Sequence, residues 1–111
     1  MLLEGELGAG KTAFVKGLAS GLGLDPDDVS SPSFALVHEY GPAGKPPVLV
    51  HVDLFRLPDR DAPVDLGLDE QGGAPLAVEW PRPPLTERRA WRVAIRIERD
   101  GSRTIRLTEP F

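Results

Sequence analysis

Apolar and polar positions change period several times along the 111-residue chain. Met1 to Glu4 is short, apolar and runs into glycines, which predicts the end of a buried strand. From Thr12 to Leu22 the side chains Phe14, Val15, Leu18, Ala19 and Leu22 recur at helical spacing, and Gly21 and Gly23 predict where that helix stops. Residues 23–33 read as an acidic, proline-punctuated loop. Ala35 to Tyr40 predicts a short strand, 41–47 a turn, and Val48 to Asp53 a more buried strand. Residues 58–74 carry prolines and glycines around a helical fragment at Val64 to Gln71. Leu76 to Trp80 predicts another buried strand, which Pro81-Arg82-Pro83-Pro84 breaks. The last part predicts a hairpin: Trp91, Val93, Ile95 and Ile97 alternate with Arg92, Ala94, Arg96 and Glu98. Asp100-Gly101 supplies its turn, and Ile105 and Leu107 then alternate with Thr104, Arg106 and Thr108.

This order predicts a single α/β domain over residues 1–111, with a mixed, mainly parallel sheet flanked by helices and a C-terminal β-hairpin. With 41% hydrophobic and 27% charged residues the chain is globular rather than disordered. The absence of cysteine excludes disulfide scaffolds, thiol catalysis, zinc ribbons and iron–sulfur clusters. No apolar run approaches the ~18 residues of a membrane span, and no cationic segment precedes the apolar start, so a soluble, cytoplasmic protein without membrane contact is expected. Charge is unevenly placed. Residues 1–80 carry 13 acidic and five basic side chains, net −8, whereas 81–111 carry eight arginines and four acids, net +4. Arg92, Arg96, Arg99, Arg103 and Arg106 are expected largely on the polar face of the hairpin, where they face a partner, RNA or only solvent. No aromatic residues interleave there, which argues against single-strand binding by stacking.

The chemistry is carried by Gly5-Glu6-Leu7-Gly8-Ala9-Gly10-Lys11-Thr12, which fits the phosphate-binding pattern G-x-x-x-x-G-K-[ST]. In a chain with 12 glycines an accidental match is expected roughly three times in a thousand. The bland alternative, a glycine-rich turn into a helix, is therefore the weaker reading. Gly5, Gly8, Ala9 and Gly10 let the backbone wrap an anion, and the helix start at Thr12 and Ala13 adds its positive end. Lys11 reaches the β- and γ-phosphates, and the Thr12 hydroxyl can ligate Mg²⁺. If strand one, Val48–Asp53 and Leu76–Trp80 run parallel while Ala35–Tyr40 runs antiparallel, then Lys11, Thr12, Ser33, Asp53 and Glu79 converge on one sheet edge. Acids at strand ends beside such a loop hold Mg²⁺ and position the attacking water. The competing readings are a cap or turn for Asp53, an ion pair with an arginine for Glu79, and ordinary turn chemistry for Ser33.

Together these residues resemble the TsaE (YjeE) family of bacterial P-loop ATPases required for the threonylcarbamoyladenosine modification of tRNA. The resemblance runs from Leu3 to about Trp80. It rests on the phosphate loop at 5–12, Ser31-Pro32-Ser33-Phe34, His51-Val52-Asp53-Leu54-Phe55-Arg56, Leu66-Gly67-Leu68 with Asp69-Glu70, and Val78-Glu79-Trp80-Pro81. It implies a P-loop NTPase fold, and ATP and Mg²⁺ as ligands. Lys11, Asp53 and Glu79 would be the catalytic residues, and Thr12 and Glu79 the metal ligands. Ser33 would sense the γ-phosphate, and Trp80 would sit beside the nucleotide or else be a half-buried core indole. It also implies slow ATP turnover alone, and service to the TsaB–TsaD complex that attaches threonylcarbamoyl to adenosine 37 of tRNA. Arg56 is expected to pair with an acid or neutralise phosphate, His51 to be a core histidine or to orient Asp53, and His38 to lie on the strand surface.

Ser33 stands where the family has threonine, which keeps the hydroxyl, and Phe55 where it has tyrosine, which loses one. The family's helix and strand before the phosphate loop are not seen ahead of Met1, so a shortened domain with an exposed sheet edge, open to self-association, is expected. Two rival functions are a P-loop small-molecule kinase and a nucleotide-binding module with vestigial activity. A GTPase that selects guanine with an N-K-x-D loop does not fit a chain without asparagine.

Overall fold

The computed structural model describes residues 1–6, 8–29, 37–55, 74–83, 85–87 and 89–110. Strand β1 (Leu2–Gly5) leads through the glycine loop into helix α1 (Lys11–Gly21). A short 3-10 turn (Pro26–Asp28) follows, then β2 (Val37–Tyr40), β3 (Leu49–Asp53) and β4 (Leu76–Glu79). A second 3-10 turn (Leu85–Glu87) precedes the hairpin of β5 (Arg92–Ile97) and β6 (Arg103–Thr108). Several sequence expectations lie outside the described residues: the Ser31–Phe34 segment with Ser33, Arg56, the helical fragment at 64–71 and the Leu66–Glu70 motif.

The six strands form one sheet in the order β2-β3-β4-β1-β5-β6. Strands β3, β4, β1 and β5 are parallel, and β2 and β6 add antiparallel at the two edges. Burial explains the order. Leu2 and Leu3 point to opposite faces and are both buried, as a central parallel strand requires. Strand β3 buries four consecutive residues, Leu49 to Val52. Strand β5 alternates, and β6 is exposed at all six positions.

One face of the sheet packs against α1: Val15 and Ala19 join Leu3, Leu49, Ala77, Val93 and Ile95 in a single cluster. The other face gathers Leu2, Val50, Val52, Leu54, Val78 and Leu85. The helix is displaced one residue from the expected Thr12–Leu22. Its end is a Schellman turn. Gly23 is left-handed (φ 84°). Its N–H donates to the Ser20 carbonyl, and the Leu24 N–H donates to that of Ala19 at 2.9 Å.

Two expectations are corrected at the hairpin. Ile105 and Leu107 were expected to face inward, but they are 52% and 57% exposed because the α1-side cluster ends at β5. Trp91, expected on the same inward face, is 42% exposed. β1 is paired on both sides, and the edges among the described residues are β2 and β6.

Candidate functional site

The loop between β1 and α1 owes its path to its small residues. A Cβ on Gly5 would stand 2.6 Å from the Ile95 carbonyl oxygen, so only glycine lets β1 lie this close to β5 at that point. Ala9 is buried in the core and anchors the loop from within. Gly10, left-handed at φ 110°, is the N-cap and makes no side-chain cap bond, so the first-turn N–H groups are left for a ligand. That turn holds no acid. It holds Lys11, a cation at the positive end of a helix, which opposes the helix dipole and suits an anion.

Lys11 is buried, and its ammonium donates to the carbonyls of Gly5 (2.5 Å) and Glu6 (3.0 Å). It also lies 4.0 Å over the Trp80 ring. Burial lowers its pKa, while the negative charges of Glu79 and Asp53 act in the opposite direction. Trp80 follows β4 in a left-handed backbone conformation (φ 57°) and packs on Phe55 with ring centroids 4.9 Å apart.

Parallel pairing sets Asp53 and Glu79 side by side at the carboxyl ends of β3 and β4. The Thr12 hydroxyl reaches both oxygens of Glu79, at 3.3 and 3.2 Å. His51 Nε2 lies 2.5 Å from Glu79 Oε2. Asp53 is half-buried, and its Oδ1 accepts from the Phe55 N–H at 2.9 Å. Burial raises the Asp53 pKa; the Phe55 N–H opposes this, Glu79 adds to it, and His51 and Lys11 oppose it.

Gly8, Gly10, Lys11, Thr12, Ala13, Asp53, Glu79 and Trp80 line one cavity of about 210 Å³. Pockets for drug-sized ligands run to about 300–1,000 Å³, and the part of the site lined by these residues is of a size to hold phosphates. A larger hollow of about 400 Å³ is bordered by Asp25, Asp28 and Glu39, which is the wrong sign for an anion. The cavity's hydroxyl and carboxylate oxygens fit Mg²⁺, a hard cation. Among the described residues no group of three or more His, Asp or Glu could cage a metal unaided. A bound Mg²⁺ would therefore take few protein ligands, with phosphate and water completing its shell.

Of the expected site residues, Gly8, Gly10, Lys11, Thr12, Ala13, Asp53, Glu79 and Trp80 line this cavity, Gly5 and Ala9 do not, and Ser33 lies outside the described residues. The competing turn reading of Asp53 is also realised, since Asp53 closes an Asx turn while facing the cavity. Glu79 has no arginine partner among the described residues; its contacts are His51 and Thr12. His51 was expected to orient Asp53 if it had a polar role, and the structure puts it on Glu79 instead. A lone polar side chain in the buried run Leu49 to Val52 signals that His51 needs a partner but not which one. His38 pairs with the Tyr40 hydroxyl at 3.1 Å.

Arg103 is a further correction. Pairing of Ile97 with Arg103 and Ile95 with Ile105 puts it on the α1 side, not with Arg92, Arg96 and Arg106. From there it donates to the loop carbonyls of Gly8 (3.2 Å) and Ala9 (3.4 Å). The remaining arginine face is partly self-neutralised, with Arg92 3.6 Å from Glu4 and Arg96 3.0 Å from Glu98.

A family model described as "Threonylcarbamoyl adenosine biosynthesis protein TsaE" matches residues 1–105. The chain is 46% identical over 82 residues to the tRNA threonylcarbamoyladenosine biosynthesis protein TsaE of Bacillus subtilis, covering 72% of this chain and 49% of that protein. It is 40% identical over 101 residues to the protein of the same name in Streptomyces coelicolor, covering 89% and 68%. The crystal structure of YdiB from Bacillus subtilis is similar at a TM-score of 0.68 and 34% identity, covering 99% of this chain and 67% of that one. The chain thus spans about half the length of the Bacillus relative.

Proposed function

The chain belongs to the TsaE family, and from that premise we propose that it binds and hydrolyses ATP with Mg²⁺ in support of the threonylcarbamoyladenosine modification of tRNA. The observation that carries this reading is the meeting of Lys11, Thr12, Asp53 and Glu79 around one cavity at the carboxyl ends of parallel strands. Such edges are where α/β sheets bind phosphorylated ligands.

The loop N–H groups and the start of α1 would cradle the phosphates. Lys11 would exchange two backbone carbonyls for the β- and γ-phosphate oxygens, a stronger, charge-assisted pairing. Thr12 would turn its hydroxyl from Glu79 to the metal. Glu79 would hold the metal side and orient the attacking water, and Asp53 would add a second acceptor beside it. Mg²⁺, when bound, neutralises charge that builds on the phosphate oxygens. Ser33 is assigned the γ-phosphate-sensing role, and Trp80 the wall beside the nucleotide. Ordering of the Ser33 segment by ATP and its release after hydrolysis would make the protein a switch. Its proposed partner is the TsaB–TsaD complex acting on adenosine 37 of tRNA in the cytoplasm, with the arginine hairpin as a contact for partner or tRNA. No helix among the described residues is long and apolar enough to cross a membrane.

The test is phosphate release from Mg·ATP by the parent and by Glu79→Ala, alone and with TsaB–TsaD. The reading expects slow turnover by the parent, faster with the complex, and none by the variant. Equal rates for parent and variant in the complex would overturn the assignment of Glu79. Release without an added acceptor separates hydrolysis from a kinase, and calorimetric heat with Mg·ATP separates a working site from a vestigial one.

A further inference from the structure

Resting on the ATPase reading, we infer that His51 is a positioning residue that fixes the Glu79 carboxylate for its metal and water. His51 is fully buried in the middle of β3. Its flanking residues Val50 and Val52 face the opposite side of the sheet, into the cluster with Leu2 and Val78. His51 turns instead toward the α1 side and puts Nε2 at 2.5 Å from Glu79 Oε2. A carboxylate accepts, so the Nε2–H donates. Its other nitrogen, Nδ1, is buried and finds no partner among the described residues. Filling space does not account for this arrangement: an aliphatic side chain would pack the same position and leave no polar atom unpaired. The imidazole does one thing there that an aliphatic side chain cannot, which is to hold an oxygen of Glu79.

The second hold on Glu79 is Thr12, at 3.3 and 3.2 Å. In the proposed reaction Thr12 turns to the metal, and that hold is released. His51 is then the described side chain still bonded to Glu79. It holds Oε2 and leaves Oε1 as the oxygen without this bond. Donors of this kind, one shell out from a metal ligand, set its direction and typically matter tenfold to a hundredfold in metal affinity or activity.

The experiment uses the full chain with His51→Leu and His51→Gln, since glutamine can keep an N–H toward Glu79 and leucine cannot. Two readouts are taken: Mn²⁺ affinity by electron paramagnetic resonance in the presence of ADP, and the split of kcat against KM for Mg·ATP. His51→Leu is expected to weaken Mn²⁺ and lower kcat, each by about tenfold or more, with KM for ATP within about threefold. His51→Gln is expected to recover most of both. Parity of His51→Leu with the parent in Mn²⁺ affinity overturns the inference and leaves the ATPase reading standing. So does an equal loss in the two variants, because that marks a packing role. Failure of the parent itself to bind ADP with Mn²⁺ removes the ATPase reading, and the inference with it.

Discussion

The Thr12 hydroxyl and the Glu79 carboxylate touch at 3.2 Å across 67 residues of chain. The first turn of α1 and the end of β4 are thereby joined through the two groups best suited to share a cation. Replacing Thr12 by valine keeps the shape and removes the oxygen. Thr12→Val is expected to lower Mg²⁺-dependent ATP turnover by about 10–100-fold, whereas Thr12→Ser stays within a few-fold. Phosphate release at saturating Mg²⁺ checks this, and a valine variant at parental rate would contradict it.

Asp53 carries a pH signature. Burial raises its pKa above the ordinary 3.8. The folded protein therefore holds that proton more tightly than the unfolded chain. Stability from this group is present below 3.8 and is lost as pH rises through the raised value. Asp53→Asn keeps the oxygen that accepts from Phe55 and abolishes the titration. As pH rises above 3.8 its urea midpoint should gain on that of the parent. Midpoints that run parallel as pH rises would refute the assignment.

Along the α1 side of the sheet the worth of an apolar side chain falls from centre to edge. Leu3, at 0% exposure in the middle of the sheet, is expected to cost about 2–5 kcal/mol when cut to alanine. Ile105, on the edge strand and 52% exposed, should cost no more than about 0.5 kcal/mol. Denaturant titration of the two variants measures the contrast directly.

Gly5→Ala tests close packing together with a backbone angle (φ 158°) that side chains rarely adopt. The added carbon would meet the Ile95 carbonyl at 2.6 Å. Strands β1 and β5 must then part, at a cost of about 1–3 kcal/mol. Thermal unfolding should show the loss, and nucleotide affinity should fall with it, because the phosphate loop starts at this residue.

Arg103 ties the hairpin to the same loop by two carbonyl bonds, at 3.2 and 3.4 Å. Arg103→Ala is expected to raise KM for ATP by about three- to tenfold, the worth of one or two such bonds. The unfolding midpoint should barely move, because the residue is exposed. An unchanged KM would show that the loop keeps its shape without the guanidinium.

Much of this site was legible in the sequence because its signals are local. The loop glycines, Lys11 and Thr12 are contiguous, and the apolar runs ending at Asp53 and Glu79 give both strand and direction. The partner of His51 was not legible. Which acid a buried histidine meets depends on the neighbouring strand's register, here Asp53 beside Glu79, and no local pattern encodes it. The hairpin was misjudged for a related reason. Alternation in Thr104 to Thr108 predicts two faces, but not that β6 would sit beyond the reach of α1 and leave Ile105 and Leu107 in water. Arg103 followed the same parity as those two residues, and its separation from the other arginines came from pairing with Ile97.

The left-handed twist at Trp80 has a consequence of its own. An ordinary L-residue held there costs about 1–2 kcal/mol relative to glycine. Glycine at this place would relax the chain and, in the same stroke, strip the indole from above the Lys11 ammonium and beside Phe55. Robustness of the fold and readiness of the lysine for an incoming anion therefore pull against each other at a single side chain.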